Sequence, residues 1–144
     1  MKLSTKSRYA VRLMINLAWN YKQGPSQLNE IARKEEISEK YLSQIVINLR
    51  AAGLIRSVRG AHGGYLLTQN PALTTLKEIV EVMEGGLDIV DCLTDEDNCG
   101  RSGQCLTRNV WNKVSQAIKD TLADINLADL SKQVNKSNVP MYFI

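Results

Sequence analysis

The stretch from Ser38 to Thr68 constrains this chain more than any other. Tyr41, Leu42, Ile45, Val46 and Leu49 recur at three- and four-residue steps, which draws one apolar stripe along a helix. Ser38 stands where a side-chain oxygen accepts from a free N–H of the first turn. Gly53 stands where a chain leaves a helix through left-handed backbone, with Leu54 covering the last turn. Leu54 to Val58 and Tyr65 to Thr68 then read as two short strands. Between them runs Arg59-Gly60-Ala61-His62-Gly63-Gly64, whose glycines supply positive dihedrals and let the tip approach another molecule closely. Nothing apolar is at hand to bury Arg59.

Upstream, Tyr9, Leu13, Leu17 and Tyr21 repeat every four residues with Ala10, Met14 and Ala18 alongside, predicting a helix from about Thr5 to Tyr21. Gly24-Pro25 ends it, and Ser26 is placed to cap a short helix from Gln27 to about Lys34, with Leu28, Ile31 and Ala32 inward. Glu35-Glu36-Ile37 makes a tight connection to the next helix. Two helices joined by a short turn form a helix-turn-helix, and a basic hairpin directly after them makes a winged helix, a DNA-binding module.

Charge agrees with that reading. Residues 1–68 hold 11 Lys or Arg against 4 Asp or Glu, and residues 69–144 hold 7 against 11. That asymmetry suggests a first half facing a polyanion, although charge alone is explained as well by chance scatter of solvated side chains. Ser38, Lys40, Tyr41 and Gln44 start the recognition helix, where base edges and phosphates of the major groove are met; Tyr41 also lies on the apolar stripe. Arg59 and His62 would enter the flanking minor groove or clamp its phosphates. Lys2, Lys6, Arg8 and Arg50 would add positioning charge.

The second half does other work. Asn70-Pro71 breaks the pattern, and Thr75 can cap a helix from Leu76 to Glu84 that Gly85-Gly86 stops. Glu78 to Asp97 carries 8 carboxylates and no Lys or Arg, so it cannot lie on phosphates. A long helix follows from about Gln104 to Asn126, with Leu106, Val110, Val114, Ala117, Ile118, Thr121, Leu122 and Ile125 forming a narrow seam. A second copy is the cheapest partner for that seam and implies a homodimer; packing back onto the winged helix is the alternative. From Ala128 the tail reads as polar until Val139-Pro140-Met141-Tyr142-Phe143-Ile144, which either staples to the core or serves as a docking peptide. The expected fold is mainly α with a small β-hairpin wing: a winged helix-turn-helix over residues 1–70, then a sensor loop (85–104), a dimerisation helix and the C-terminal tail over 71–144.

Cys92, Cys99 and Cys105 are the chain's only cysteines, spaced C-x6-C-x5-C. An odd number cannot all pair within one chain, and Met1 to Lys6 lacks the apolar core of a secretory signal, so a reduced, cytoplasmic setting is expected. No stretch approaches the roughly 20 apolar residues of a membrane helix. Asn98, Gly100, Ser102 and Gly103 let the backbone curl, and thiols in such polar surroundings suit a metal or redox role. Iron–sulfur clusters and zinc both fit, and both normally take four ligands. The fourth would come from an Asp or Glu, a backbone or solvent group, or the other subunit. Enzymatic chemistry is not expected, since one histidine, no nucleophile–base pairing and no phosphate loop are present.

Four segments carry a more specific likeness. They are Leu3-Ser4-Thr5-Lys6-Ser7-Arg8-Tyr9-Ala10, Ser38-Glu39-Lys40-Tyr41-Leu42-Ser43-Gln44-Ile45, Leu49-Arg50-Ala51-Ala52-Gly53-Leu54-Ile55 and Ser57-Val58-Arg59-Gly60-Ala61-His62-Gly63-Gly64-Tyr65. With them the chain resembles, over nearly its whole length, the IscR/CymR-type winged-helix regulators, which include iron–sulfur sensors, nitric-oxide sensors and cysteine-metabolism repressors. The resemblance implies a dimeric, sequence-specific DNA-binding transcription regulator and places a 2Fe–2S type of iron–sulfur cluster on Cys92, Cys99 and Cys105, ahead of zinc. IscR proteins typically carry a histidine three residues after the last cysteine, and Arg108 stands there instead. Other members recruit an acidic residue or histidine from the partner subunit's first helix, where this chain has Arg8 and Arg12, so the fourth ligand is unassigned. Some cysteine-metabolism members end in an aromatic residue followed by isoleucine and dock cysteine synthase through it. Phe143-Ile144 matches that ending, which implies the alternative of a repressor without a cluster, working as a thiol or zinc switch with cysteine synthase.

Overall fold

The computed structural model describes residues 2–137, and side chains as far as 133. Among these residues the protein is mostly helical, with one two-stranded antiparallel hairpin. The elements run α1 (Thr5–Trp19), α2 (Leu28–Glu35), α3 (Glu39–Ala51), β1 (Ile55–Val58), β2 (Gly64–Leu67), α4 (Leu76–Glu84), α5 (Asp91–Thr94), α6 (Leu106–Ala123) and α7 (Leu127–Ser137). This is the winged helix expected from the sequence, with a long helix after it.

α1 is the hub. Ser4 caps it by accepting from the N–H of Ser7 at 3.1 Å. Ala10, Leu13, Met14, Ile15, Leu17 and Ala18 are all buried, a wider stripe than one packing face needs. The width follows from its neighbours, because α2, α3, β2, α4 and α7 all pack against it. Ile79 and Met83 of α4 and Leu127 of α7 join the same apolar cluster as Leu42, Ile45 and Leu49 of α3.

Local chemistry sets the boundaries. Glu36 takes left-handed backbone (φ 55°) to close α2, and the Ile37 N–H returns to the Ala32 carbonyl at 3.0 Å. Ser38 caps α3 through the N–H of Tyr41, and Gly53 (φ 75°) releases its end. Thr75 and Glu78 form a reciprocal capping box at the head of α4. The hairpin pairs Ile55 with Leu67 through Val58 with Gly64.

Two departures from the sequence reading matter. Ser26 does not cap α2; Gln27 occupies that position and makes no side-chain cap bond. Ser26 is buried instead, its backbone bridging to Tyr65 in both directions at 2.9–3.0 Å and its hydroxyl accepting from Asn20 Nδ2 at 2.8 Å. Backbone pairing to the hairpin outcompetes a single cap bond. Gly64 is required at this crossing, because a Cβ there would stand 2.3 Å from the Ser26 carbonyl oxygen.

The segment after α6 is not a polar tail from Ala128. The Leu76 N–H donates to Ile125 O at 2.8 Å and the Leu127 N–H to Thr74 O at 3.0 Å, which steers the chain into α7. Asn126 Oδ1 accepts from the N–H of Asp129, Leu127 is fully buried, and Trp19 Nε1 donates to Ser131 O at 3.1 Å. Residues 139–144, read as a staple or docking peptide, lie outside the described residues.

Candidate nucleic-acid interface and thiol loop

The head of α3 is held from beneath by a polar network around the buried Glu35. Glu35, at the end of α2, is almost wholly buried and accepts from Arg12 Nε at 2.8 Å and Asn16 Nδ2 at 2.6 Å. Arg12 also donates to the Glu35 carbonyl, and its guanidinium lies 5.4 Å from the centre of the Tyr9 ring. Tyr9 meets Tyr41 edge-on, centroids 5.6 Å apart at 87°. The half-buried Arg12 of α1 thus links the buried Glu35 of α2, through the Tyr9 ring, to Tyr41 in the first turn of α3.

On top of that support, Ser38, Lys40 and Gln44 are exposed and Tyr41 is half-buried. Together with Tyr9 and Glu36 they line an open depression. Arg50, Arg59, His62 and Arg8 are exposed and Lys6 is half-buried. Arg8 donates to Thr5 Oγ1 at 3.0 Å. Lys2 stands elsewhere, in a second cleft between α4 and α6 with Glu84 and Asp88 among its walls. Sequence reasoning did not single out Ile47, an aliphatic side chain 61% exposed on the outer side of α3. The helical spacing from Lys40 and Gln44 was the signal that pointed to it.

The three cysteines lie on three different pieces of backbone. Half-buried Cys92 is in α5, exposed Cys99 follows a 3-10 turn, and half-buried Cys105 occupies the position before α6. The Cys105 thiol is held below its ordinary range, first by the Thr107 hydroxyl at 3.2 Å, then by the backbone N–H groups of Arg108 and Thr107. Arg108 donates to Glu96 Oε1 at 2.8 Å and to the Cys92 carbonyl at 3.3 Å, tying α6 to α5 and the turn. Its Nε is buried with no hydrogen-bond partner among the described residues. No three His, Cys, Asp or Glu side chains stand together there as a metal-holding group. All three are free thiols, and their soft-donor chemistry suits zinc or an iron–sulfur cluster. Arg108, in the place of the expected histidine, has no lone pair to offer.

Only part of the expected seam of α6 faces solvent: Leu106, Val110, Val114, Ala117 and Thr121 are exposed, Ile125 is half-buried, and Ile118 and Leu122 are half-buried in the cleft against α4. Leu106 is 90% exposed, and Val110, Trp111 and Val114 are each at least 40% exposed. Its inner side rests on α4 and α5, with Ser115 buried and accepting from the N–H of Ile89 at 3.1 Å. No helix among the described residues is long and apolar enough to cross a membrane.

Known proteins share this architecture. Residues 3–133 match the family model Rrf2, described as an iron-dependent transcriptional regulator. The HTH-type transcriptional regulator CymR of Bacillus subtilis is 38% identical over 145 residues, all of both chains. The HTH-type transcriptional regulator IscR of Xenorhabdus nematophila is 35% identical over 132 residues, covering 92% of this chain and 80% of the relative. Among solved structures, CymR of B. subtilis, described as its global cysteine regulator, superposes with a TM-score of 0.76 at 39% identity, over 92% of this chain and 98% of that one. IscR of T. potens superposes with a TM-score of 0.78 at 36% identity, over 99% and 95%. These relatives are named as regulators of transcription and not as enzymes, and the chain belongs to the Rrf2 family of transcriptional regulators.

Proposed function

We propose that this chain is a homodimeric, cytoplasmic regulator that binds duplex DNA through α3 and the wing and takes its signal at the loop carrying Cys92, Cys99 and Cys105. One observation carries the reading: the exposed head of α3, with Ser38, Lys40 and Gln44, shares the reading module with a basic wing bearing Arg59 and His62. Lys6, Arg8 and Arg50 would contribute phosphate contacts. The exposed part of the α6 seam supports the second copy. A dimer of this kind addresses two half-sites about one or two helical turns apart.

For the signal, a 2Fe–2S cluster held by the three thiols is supported by the donor set and by the likeness to IscR. The fourth ligand is unassigned. A second reading, a thiol or zinc switch without a cluster, is supported by Arg108 and by full-length likeness to CymR. In that reading, cysteine synthase docks on residues 141–144. Anaerobic purification with absorbance, iron, zinc and sulfide quantification separates the two. Visible absorbance with matched iron and sulfide, lost in Cys99→Ala with the fold retained, establishes the cluster. A colourless, iron-free protein that still binds DNA removes it, and deletion of Met141 to Ile144 then tests co-purification with cysteine synthase.

A further inference from the structure

We propose that Ile47 is a specificity-determining residue that reads the C5-methyl group of a thymine in the major groove; the inference rests on the DNA-binding reading above. Leu42, Ile45, Val46 and Leu49 are buried and fix which side of α3 faces inward. With 3.6 residues per turn, Lys40, Gln44 and Ile47 fall in one row on the opposite side. All three are exposed. Ser43, beside them, donates its hydroxyl back to the Glu39 carbonyl at 2.9 Å, so its proton is committed to the helix's own backbone. The row therefore offers an ammonium, an amide and one branched apolar side chain.

Each has a natural counterpart on DNA. The ammonium and the amide match phosphate oxygens and base-edge acceptors or donors. The apolar group that the base edges offer in the major groove is the thymine methyl. A lone exposed aliphatic residue on an idle surface would need no account. This one stands in line with Lys40 and Gln44, where isoleucine improves neither solubility nor helix propensity over the polar residues around it. Its β-branched side chain is already restricted at χ1 in a helix, so little freedom is lost when a methyl group packs against it.

The test uses duplexes selected from a random pool by the full-length protein. Each thymine in a selected duplex is replaced singly by deoxyuridine, which removes the C5-methyl group alone, and dissociation constants are compared for wild type and Ile47→Ser at fixed salt. The expected result is a position at which deoxyuridine weakens wild type about fourfold, the worth of one buried methyl or methylene. The Ile47→Ser variant should be indifferent to that change. Ile47 is open to solvent, so an unchanged thermal melt checks that the variant is folded. The inference is overturned if no deoxyuridine position weakens wild type, or if the sensitivity persists in Ile47→Ser. A pool that yields no saturably bound duplex removes the DNA-binding reading itself, and this inference with it.

Discussion

The carboxylate of Glu84, the last residue of α4, accepts a hydrogen bond from the hydroxyl of Ser7, which lies 77 residues earlier in α1. The same oxygen accepts from the N–H of Ser4 at 2.9 Å, so the end of one helix caps the start of another. Gly85 and Gly86 follow at once and lead into the thiol loop. The joint thus ties the segment bearing Lys6 and Arg8 to the segment that leads to the cysteines.

That joint titrates. The hydroxyl of Ser7, then the Ser4 contacts, hold the Glu84 carboxyl below its ordinary 4.5, with a smaller pull from Lys6. A depressed folded-state value means that the ionised group stabilises the fold above about 4.5, and that this contribution is lost as pH falls through the lower folded-state value. Glu84→Gln should lower stability by about 0.5 kcal/mol near neutral pH, the low end for a hydrogen-bonded group open to water. Thermal melts of both proteins should converge in acid. A gap that persists there would refute the assignment.

Glu35 should be far less tolerant. Glu35→Ala strips Arg12 and Asn16 of a buried partner and should cost about 3 kcal/mol, read from urea unfolding. Tyr9 and Tyr41 would lose their fixed support, so DNA affinity should fall beyond what the unfolded fraction explains.

The seam of α6 gives a test of assembly. Val110→Asp with Val114→Glu places charge on an exposed apolar strip, so a monomer would be little destabilised. In a homodimer joined along this seam the two charges would be buried without partners, and sedimentation should show monomers. An unchanged dimer would move the interface elsewhere.

Arg59 should act through phosphates. Arg59→Ala is expected to weaken binding similarly across duplex sequences and to reduce the slope of log affinity against log salt by about 1. Fluorescence anisotropy over a salt series measures both. An unchanged slope would show that the wing tip stays off the backbone.

The bounds of α3 and α4 were legible because each has a local cause. Ser38, Gly53, Thr75 and Gly85 act through hydrogen bonds or dihedrals within a few residues, and those can be read in order along a chain. Ser26 could not be read this way, since its partner is Tyr65, across the hairpin. α7 escaped for a similar reason: Leu127 and Leu130 look sparse among polar neighbours until α1 supplies the surface they cover. The thiol loop was legible as chemistry and not as geometry. Spacing named Cys92, Cys99 and Cys105, but only three dimensions show Arg108 bridging the Glu96 carboxylate and the Cys92 carbonyl.

The paired backbone of Ser26 and Tyr65, sealed by the close approach at Gly64, makes the hairpin a continuation of the chain entering α2. Stitched together in this manner, the wing and the entry to α2 would shift as one body. In the homodimer proposed above, adjustment would then fall to the distance and tilt between the two copies.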